Sequence, residues 1–242
     1  MRTTHRRLVT AALVAVTAAT LGACAFGPRT TATETFTVTD EITSVRFDLD
    51  AGSVALRGSD TAEVSIERRL EYVGSHDEGA THRVEDGVLV LSGCGRRCSA
   101  NYSIDLPAGL PVTGETEHGS IDLTATGEVD VTTSNGSVAV TDVDAEVVAR
   151  TSNGRIAGTR LGGDGVDAET SNGSVEISLA TPQDVRAVTD NGAVRVTVPD
   201  GSYRVRAETD LGGTEVTVPD DPDGEFEIVA ESSNGRVSVT RD

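Results

Sequence analysis

Three cysteines are the residues of this sequence best suited to covalent chemistry. Cys94 and Cys98 enclose Gly95-Arg96-Arg97, and Cys24 stands alone near the N-terminus. Redox pairs are usually separated by two residues rather than three, and a thiolate metal site needs further ligands nearby. We therefore predict a plain disulfide between Cys94 and Cys98, formed outside the reducing cytosol. Closing so short a loop contributes only about 2 kcal/mol.

Other fragments contain catalytic or metal-binding residue types without the arrangement that such sites need. Ser75-His76-Asp77 has the residue types of a hydrolase triad, but triads are assembled from distant segments. His76 and His82, with nearby acids, match no standard zinc spacing. Residues 162–167 match a calcium-binding β-roll repeat once, whereas that motif works in tandem copies. We interpret residues 74–86 as an exposed loop and residues 162–167 as a glycine-rich turn, and we predict no catalytic residue, metal or cofactor.

The composition also argues against a polysaccharide-active enzyme, the least favoured of our functional hypotheses. Glycosidases need paired carboxylates in a cleft, and the acidic residues here are scattered along the sequence. The chain has no lysine and no tryptophan, and it has only three tyrosines that could stack on sugars. We therefore expect a protein that is not an enzyme.

The N-terminal segment has the features of a secretion signal. Arg2, Arg6 and Arg7 precede an uncharged run over residues 8–20, which is too short to span a bilayer stably. The following Leu21-Gly22-Ala23-Cys24 resembles the lipobox of bacterial lipoproteins, whose cysteine is lipidated after cleavage. We predict a signal peptide over 1–23, a lipid on Cys24 and a flexible linker over 24–38. The alternative is an ordinary signal peptide that is cut nearby.

The net charge limits the range of partners. The whole chain carries a formal charge of −19, from 20 arginines and 39 acidic residues. Removal of residues 1–23 takes away three arginines and no acid, which leaves a charge of about −22. Nucleic acids and anionic lipid surfaces attract basic patches, so neither is an expected partner. Contact with the membrane is expected only through the N-terminal lipid.

A short motif recurs along the C-terminal half of the chain. Thr133-Ser134-Asn135-Gly136-Ser137-Val138 returns several times, with looser copies at 116–121 and 209–214. Successive asparagine positions, counting His118 and Leu211 as equivalents, lie 17, 18, 19, 19, 20 and 23 residues apart. The predicted repeat turns are Asn135-Gly136, Asn153-Gly154, Asn172-Gly173, Asn191-Gly192 and Asn234-Gly235.

The residues that flank each motif alternate between apolar and polar types, which is typical of β-strands. Valine or isoleucine occupies the position six residues before each asparagine position, and a small residue, mostly alanine, usually stands four before. The positions three and five residues after it are mostly valine, isoleucine or leucine. Each unit is therefore predicted to be a strand, a turn and a second strand with one apolar face.

Units of this size cannot bury an apolar face alone and must stack on their neighbours. We therefore predict an all-β fold, a single-stranded β-solenoid of the right-handed type with two strands in each coil of about 17–20 residues. Residues 39–110 are expected to form N-terminal coils and a cap, continuous with a repeat solenoid over 111–242. An Asn-Gly pair between strands also suits a tight hairpin, so an antiparallel β-sandwich is the alternative fold.

These features together resemble an adhesin-like family of bacterial β-solenoid domains, also known as the domain of unknown function DUF4097. The lipobox-like segment, the acidic β-rich composition and the Thr-Ser-Asn-Gly-Ser-Val repeats carry the resemblance. Residues 104–109, Ile-Asp-Leu-Pro-Ala-Gly, followed by Val112, resemble the family's entry into its repeats. The resemblance covers about residues 40–242. It implies a β-solenoid fold and implies no catalytic set.

The favoured function is that of a non-catalytic, lipid-anchored protein on the outer face of the cell membrane, with the solenoid as an interaction or structural module. Its expected partner is an envelope or cell-surface protein or polymer. The alternative is a sensory or regulatory lipoprotein that acts in envelope stress through a membrane partner.

Overall fold

The computed structural model describes residues 29–74 and 81–242. This part of the chain contains 21 β-strands and no α-helix. The strands are β1 (Arg29–Val38), β2 (Ser44–Ala51), β3 (Val54–Ser59), β4 (Val64–Val73), β5 (His82–Glu85), β6 (Val88–Ser92), β7 (Cys98–Pro107), β8 (Val112–His118), β9 (Ile121–Thr124), β10 (Val129–Asn135), β11 (Val138–Thr141), β12 (Val147–Asn153), β13 (Ile156–Leu161), β14 (Val166–Asn172), β15 (Val175–Leu179), β16 (Val185–Asn191), β17 (Val194–Val198), β18 (Tyr203–Leu211), β19 (Thr214–Val216), β20 (Phe226–Asn234) and β21 (Val237–Arg241).

The strands form two sheets, and the chain passes between them at each Asn-Gly motif. The ten-stranded sheet has the order β18-β20-β16-β14-β12-β10-β8-β2-β6-β5. The eleven-stranded sheet has the order β1-β4-β7-β3-β9-β11-β13-β15-β17-β21-β19. The two strands that flank one motif, such as β10 and β11, therefore lie in different sheets and form one coil of a β-solenoid. This separation excludes the hairpin arrangement of the alternative fold.

The pairing between coils is parallel and keeps the register that the repeat predicts. Val129 pairs with Val112 on one side and with Val147 on the other, and Asn135 pairs with His118 and Asn153. Leu211 pairs with Asn234, which confirms that the degraded copy is equivalent to the others. The inward valines and alanines are buried because each strand alternates inward and outward side chains. Ala149, Ala168, Ala187 and Ala230 are each at most 1% exposed.

The order of coils departs from the order of the sequence at both ends of the solenoid. We expected each coil to stack on the coils before and after it in the chain. Instead, the last coil, β20–β21, lies between β16–β17 and β18–β19, so β18–β19 forms the outer end. The first coil, β2–β3, likewise lies between β6–β7 and β8–β9. The first coil, β2–β3, and the last coil, β20–β21, are thus each placed one coil inside the stack.

Antiparallel strands cover the end formed by β6–β7. β5 pairs with β6, while β4 pairs with β7 and β1 with β4, and these are the three antiparallel pairings of the described residues. We call this the capped end, and we call the end formed by β18–β19 the open end. Two sequence expectations are corrected here. Residues 29–38, assigned to a flexible linker, form β1, and residues 82–85, assigned to a loop, form β5.

Candidate binding surface

The predicted turn residues form one continuous edge of the solenoid. From Asn153 onward, the side-chain amide of each asparagine donates to the side-chain oxygen of the asparagine in the adjacent coil, at 3.1–3.2 Å. The ladder runs through Asn135, Asn153, Asn172, Asn191 and Asn234. His118 and Leu211 occupy the equivalent positions in the flanking coils. Because the amides bond to one another, the ladder serves to hold adjacent coils together.

The glycine of each motif is required by the close approach of adjacent coils. A Cβ atom on Gly154 would lie 1.9 Å from the carbonyl oxygen of Gly136, and the other repeat glycines meet the same obstacle. Gly154 does not adopt a positive φ, in contrast to the glycine of a tight hairpin turn. At Gly154 the motif therefore specifies stacking rather than a left-handed backbone.

The threonine of the motif has a role that the sequence analysis missed. Thr133, Thr151, Thr170 and Thr189 are buried, and each hydroxyl donates to the glycine carbonyl of the adjacent coil at 2.9–3.0 Å. A buried carbonyl without a partner is costly, so these hydroxyls satisfy the main chain where it turns from one sheet to the other. The recurrence of threonine, or serine in the last copy, at this place in the motif was the available signal.

The predicted disulfide between Cys94 and Cys98 is present, with Cα atoms 5.6 Å apart. It joins the connection that follows β6 to the first residue of β7, at the capped end. Cys24, the predicted lipidation site, lies outside the described residues. So does the Ser75-His76-Asp77 segment.

A buried polar cluster joins the strands of the cap. Arg68, on β4, forms an ion pair with Glu34 on β1, and its guanidinium carbon lies 5.2 Å from the centre of the Phe36 ring. Its Nη1 also donates to the Thr81 hydroxyl at 2.6 Å. The His82 ring centre lies 4.4 Å from that of Phe36. These contacts tie β1 and β5 to β4.

Burial determines the electrostatics of this cluster. Burial, together with the nearby charge of Arg68, lowers the pKa of His82, and Glu34 opposes the shift only in part. His82 Nδ1 and Arg68 Nε are buried without a hydrogen-bond partner in the part of the chain that the structure describes. Desolvation of a charged group is costly, so the site favours the neutral imidazole. Burial also raises the pKa of Tyr102, whose hydroxyl lies 2.8 Å from the Thr81 carbonyl oxygen.

A groove of about 520 Å³ opens on the outer face of the ten-stranded sheet, near the capped end. Arginine and carboxylate groups, hydroxyl groups and a small apolar area line it. The lining residues are Arg46, Phe47, Asp48, Arg83, Val90, Leu91, Ser92, Thr113, Gly114, Glu115, Asp130 and Thr132. The acids are scattered along the sequence, but the parallel stacking of β2, β8 and β10 brings Asp48, Glu115 and Asp130 to this one place.

The arginines on this sheet face differ in how their charge is neutralised. Arg150 pairs with Asp167 at 2.8 Å, and Arg186 pairs with Asp167 at 3.0 Å. Arg83, at the edge of the groove, bonds to Glu85 at 2.8 Å. Arg46 is exposed and has no ion pair or hydrogen bond with any residue that the structure describes. The groove thus presents one arginine whose donors are available to a ligand.

Two kinds of feature are absent from the described residues. No group of three or more histidine, cysteine or acidic side chains is placed to hold a metal ion in residues 29–74 and 81–242. Over the same residues, no helix is long and apolar enough to cross a membrane.

The solved structures that match this chain share little sequence with it. A protein provisionally named a cell adhesion protein, from Clostridium sporogenes, is 12% identical with a TM-score of 0.39, and the match covers 87% of this chain and all of that one. A provisionally named adhesin from Bacteroides fragilis is 13% identical with a TM-score of 0.34, over 87% of this chain and 97% of that one. A similarly named protein from Parabacteroides merdae is 13% identical with a TM-score of 0.35, over 88% of this chain and 96% of that one. Similarity at this level bears no weight in the functional argument.

Sequence comparison gives a clearer result. No curated protein matches the sequence. The Toastrack DUF4097 family profile matches residues 112–241, which is more than half of the chain. The matched segment holds the stacked coils, the asparagine ladder and the open end. The chain is therefore a member of the Toastrack DUF4097 family.

Proposed function

We propose that this protein is a lipid-anchored, non-catalytic binding module outside the cell membrane, whose groove around Arg46 holds a hydroxyl-rich polymer of the cell's own envelope. The observation that carries the proposal is the groove itself. It combines an arginine that has no partner among residues 29–74 and 81–242 with carboxylates and the hydroxyls of Ser92, Thr113 and Thr132.

The chemistry of the groove suits a polysaccharide. Sugar hydroxyls both donate and accept hydrogen bonds, so they can meet carboxylates, threonine hydroxyls and an arginine in the same site. Phe47 is 1% exposed and offers no ring face to a ligand. Recognition would therefore depend on hydrogen bonds, since the groove has no aromatic platform for stacking on a sugar ring.

The anchor favours a partner on the same cell. Cys24 precedes β1 by only five residues, which span at most about 18 Å when extended. Because β1 belongs to the cap, a lipid on Cys24 would hold the capped end close to the membrane. The groove lies near that end, where the polymers of the cell's own envelope are within reach.

The anchor is tested by replacement of Cys24 with alanine. The wild-type protein should enter the detergent-rich phase on detergent partitioning, and the Cys24→Ala protein should remain in the aqueous phase. An unchanged distribution would refute the lipid.

The groove is tested by titration of the purified protein with polysaccharide isolated from the envelope of its own host. Arg46→Ala should weaken binding by about tenfold, because a charge-assisted hydrogen bond is lost. Arg186→Ala, which removes an arginine paired with Asp167 and Glu169 outside the groove, is the matched control and should bind normally. Equal binding by the two variants would show that the groove is not the binding site.

The three carboxylates of the groove give one specific reason to examine catalysis. Glycosidases place two carboxyl groups on either side of the scissile bond. Incubation of the same polysaccharide with the protein should yield no new reducing ends. Product formation that is abolished in Glu115→Gln would instead identify a glycosidase.

A further inference from the structure

The two ends of the solenoid differ in how their outermost strands are covered. Antiparallel strands cover the capped end, whereas β18 and β19 form the outermost strands at the open end. Leu211, which is 70% exposed, and Val216, which is 42% exposed, are the exposed large apolar side chains of the described residues, and both lie on this last coil. Val205 and Ala207 are only half-buried, although the equivalent Val185 and Ala187 are at most 2% exposed. The open end therefore presents an incompletely covered core and an edge strand.

The outward side chains of β18 follow a symmetric charge pattern. Arg204 and Arg206 precede Ala207 by three residues and one residue, and Glu208 and Asp210 follow it by one and three. No other strand of the ten-stranded sheet, within the residues that the structure describes, carries two arginines followed by two acids on its outward face.

This pattern is complementary to itself when two such strands run antiparallel. If Ala207 of one copy lies opposite Ala207 of a second copy, Arg206 faces Glu208 of the second copy and Arg204 faces Asp210 of the second copy. Directly opposed side chains on antiparallel strands are close enough to interact, and opposite charges there stabilise the pairing. Parallel pairing in register would place like charges together. The sequence of β18 thus specifies the direction and the register of its partner strand.

We propose that the open end binds a second copy of this chain, through antiparallel pairing of the two β18 edges about Ala207. An unpaired edge strand offers main-chain donors and acceptors to any strand that matches it. A two-fold arrangement uses the same surface on both copies, so it closes at two chains. It would also cover the half-buried core positions of both open ends.

A segment of the same chain competes for part of this edge. Asp221 N donates to the Tyr203 carbonyl at 2.9 Å, and Val205 N donates to the Asp220 carboxylate at 2.9 Å. The second copy must take over the Val205 N–H and displace this segment from Tyr203. The Gly224 carbonyl of the same segment accepts from Arg204 Nη1 at 3.0 Å, so Arg204 must leave this bond to face Asp210 of the second copy. Asp220→Ala removes one contact that holds the segment at β18, so it should strengthen dimer formation severalfold. Weaker dimer formation in this variant would contradict the proposed pairing.

Sedimentation velocity of the full chain in detergent solution, with charge-reversal variants, tests the proposal. The acidic variant carries Arg204→Glu and Arg206→Glu, and the basic variant carries Glu208→Arg and Asp210→Arg. Each variant should dimerise at least about tenfold more weakly than the wild type, because every opposed pair becomes like-charged. An equimolar mixture of the two should recover dimers, and so should a variant with all four changes.

Recovery in the mixture shows that the separate variants are folded, so misfolding cannot mimic the expected result. A wild-type protein that stays monomeric up to about 100 µM would overturn the proposal. Wild-type dimers that persist unchanged in both double variants would show that another surface is used, and would overturn it equally.

Discussion

The hydroxyl of Thr170 donates a 3.0 Å hydrogen bond to the carbonyl oxygen of Gly154, which lies one coil away. Thr170 is 2% exposed, so water cannot easily replace this bond when the hydroxyl is removed. We predict that Thr170→Val, which keeps the shape of the side chain, lowers the free energy of unfolding by about 1–2 kcal/mol. Urea denaturation of the purified protein measures the change.

The control for this prediction is Thr170→Ser, which retains the hydroxyl. Serine occurs naturally at the equivalent position in the last coil, where Ser232 donates to Gly192 at 2.8 Å. The free energy of unfolding of the serine variant should be clearly closer to that of the wild type than that of the valine variant is. Equal losses in the two variants would show that the bond to Gly154 is unimportant.

The glycine ladder predicts a large difference between two similar substitutions. Gly154→Ala would place a methyl group 1.9 Å from a main-chain oxygen of the adjacent coil, so the stacking must give way. Gly213, at the open end, has no atom within 4 Å of the corresponding position. We expect Gly154→Ala to cost at least about 2 kcal/mol and Gly213→Ala less than about 0.5 kcal/mol. Thermal melting of both variants measures the difference. Similar melting temperatures would count against close contact between coils at Gly154.

The buried His82 predicts a loss of stability in mild acid. Its folded-state pKa is depressed below the ordinary value of 6.5, so the unfolded chain binds the proton first as the pH falls. The stability contributed by neutral His82 is therefore intact above pH 6.5 and is lost progressively between pH 6.5 and the lower folded-state pKa. Chemical denaturation at several pH values between 7.5 and 5 should show this decline.

The variant His82→Phe isolates the contribution of this residue. It keeps an aromatic ring beside Phe36 and removes the titrating group. Its stability should fall less than that of the wild type over the same pH range. Parallel pH profiles for the two proteins would assign the decline to other groups.

Removal of the disulfide is expected to lower the stability only modestly and locally. Cys94 and Cys98 close a loop with a sequence separation of four, so their replacement by serine should cost about 2 kcal/mol. Peptide mass spectrometry of protein purified without reductant should show the two residues joined. Two free thiols in that protein would contradict the cross-link.

The repeated coils could be predicted from the sequence because their signal is local and recurs. Val129, Val147 and Val166 stand at the same distance before their motifs, and the structure pairs them as that register requires. The order of the end coils could not be predicted in this way. The copies are chemically equivalent, so Asn234 can pair with Leu211 and with Asn191 whichever coil comes first in the chain.

The cap and the groove depend on contacts between distant segments, which explains why the sequence analysis missed them. The sequence of β1 is rich in threonine and resembles a linker. Its place in the cap depends on the contacts of Phe36 and Glu34 with Arg68 on β4. His82 is buried because β5 pairs with β6 beneath the cap, although its neighbours in sequence are polar. Asp48 and Asp130 reach one groove only through the parallel stacking of three strands.

The most direct test of the proposed function is site-specific photo-cross-linking on intact cells. A photoreactive amino acid replaces Thr113, which is exposed in the groove, or Glu169, which lies on the same sheet face outside it. The proposal predicts that the probe at 113 becomes attached to envelope polysaccharide and that the probe at 169 does not. Capture of a single membrane protein at 113, or equal products from both positions, would contradict it.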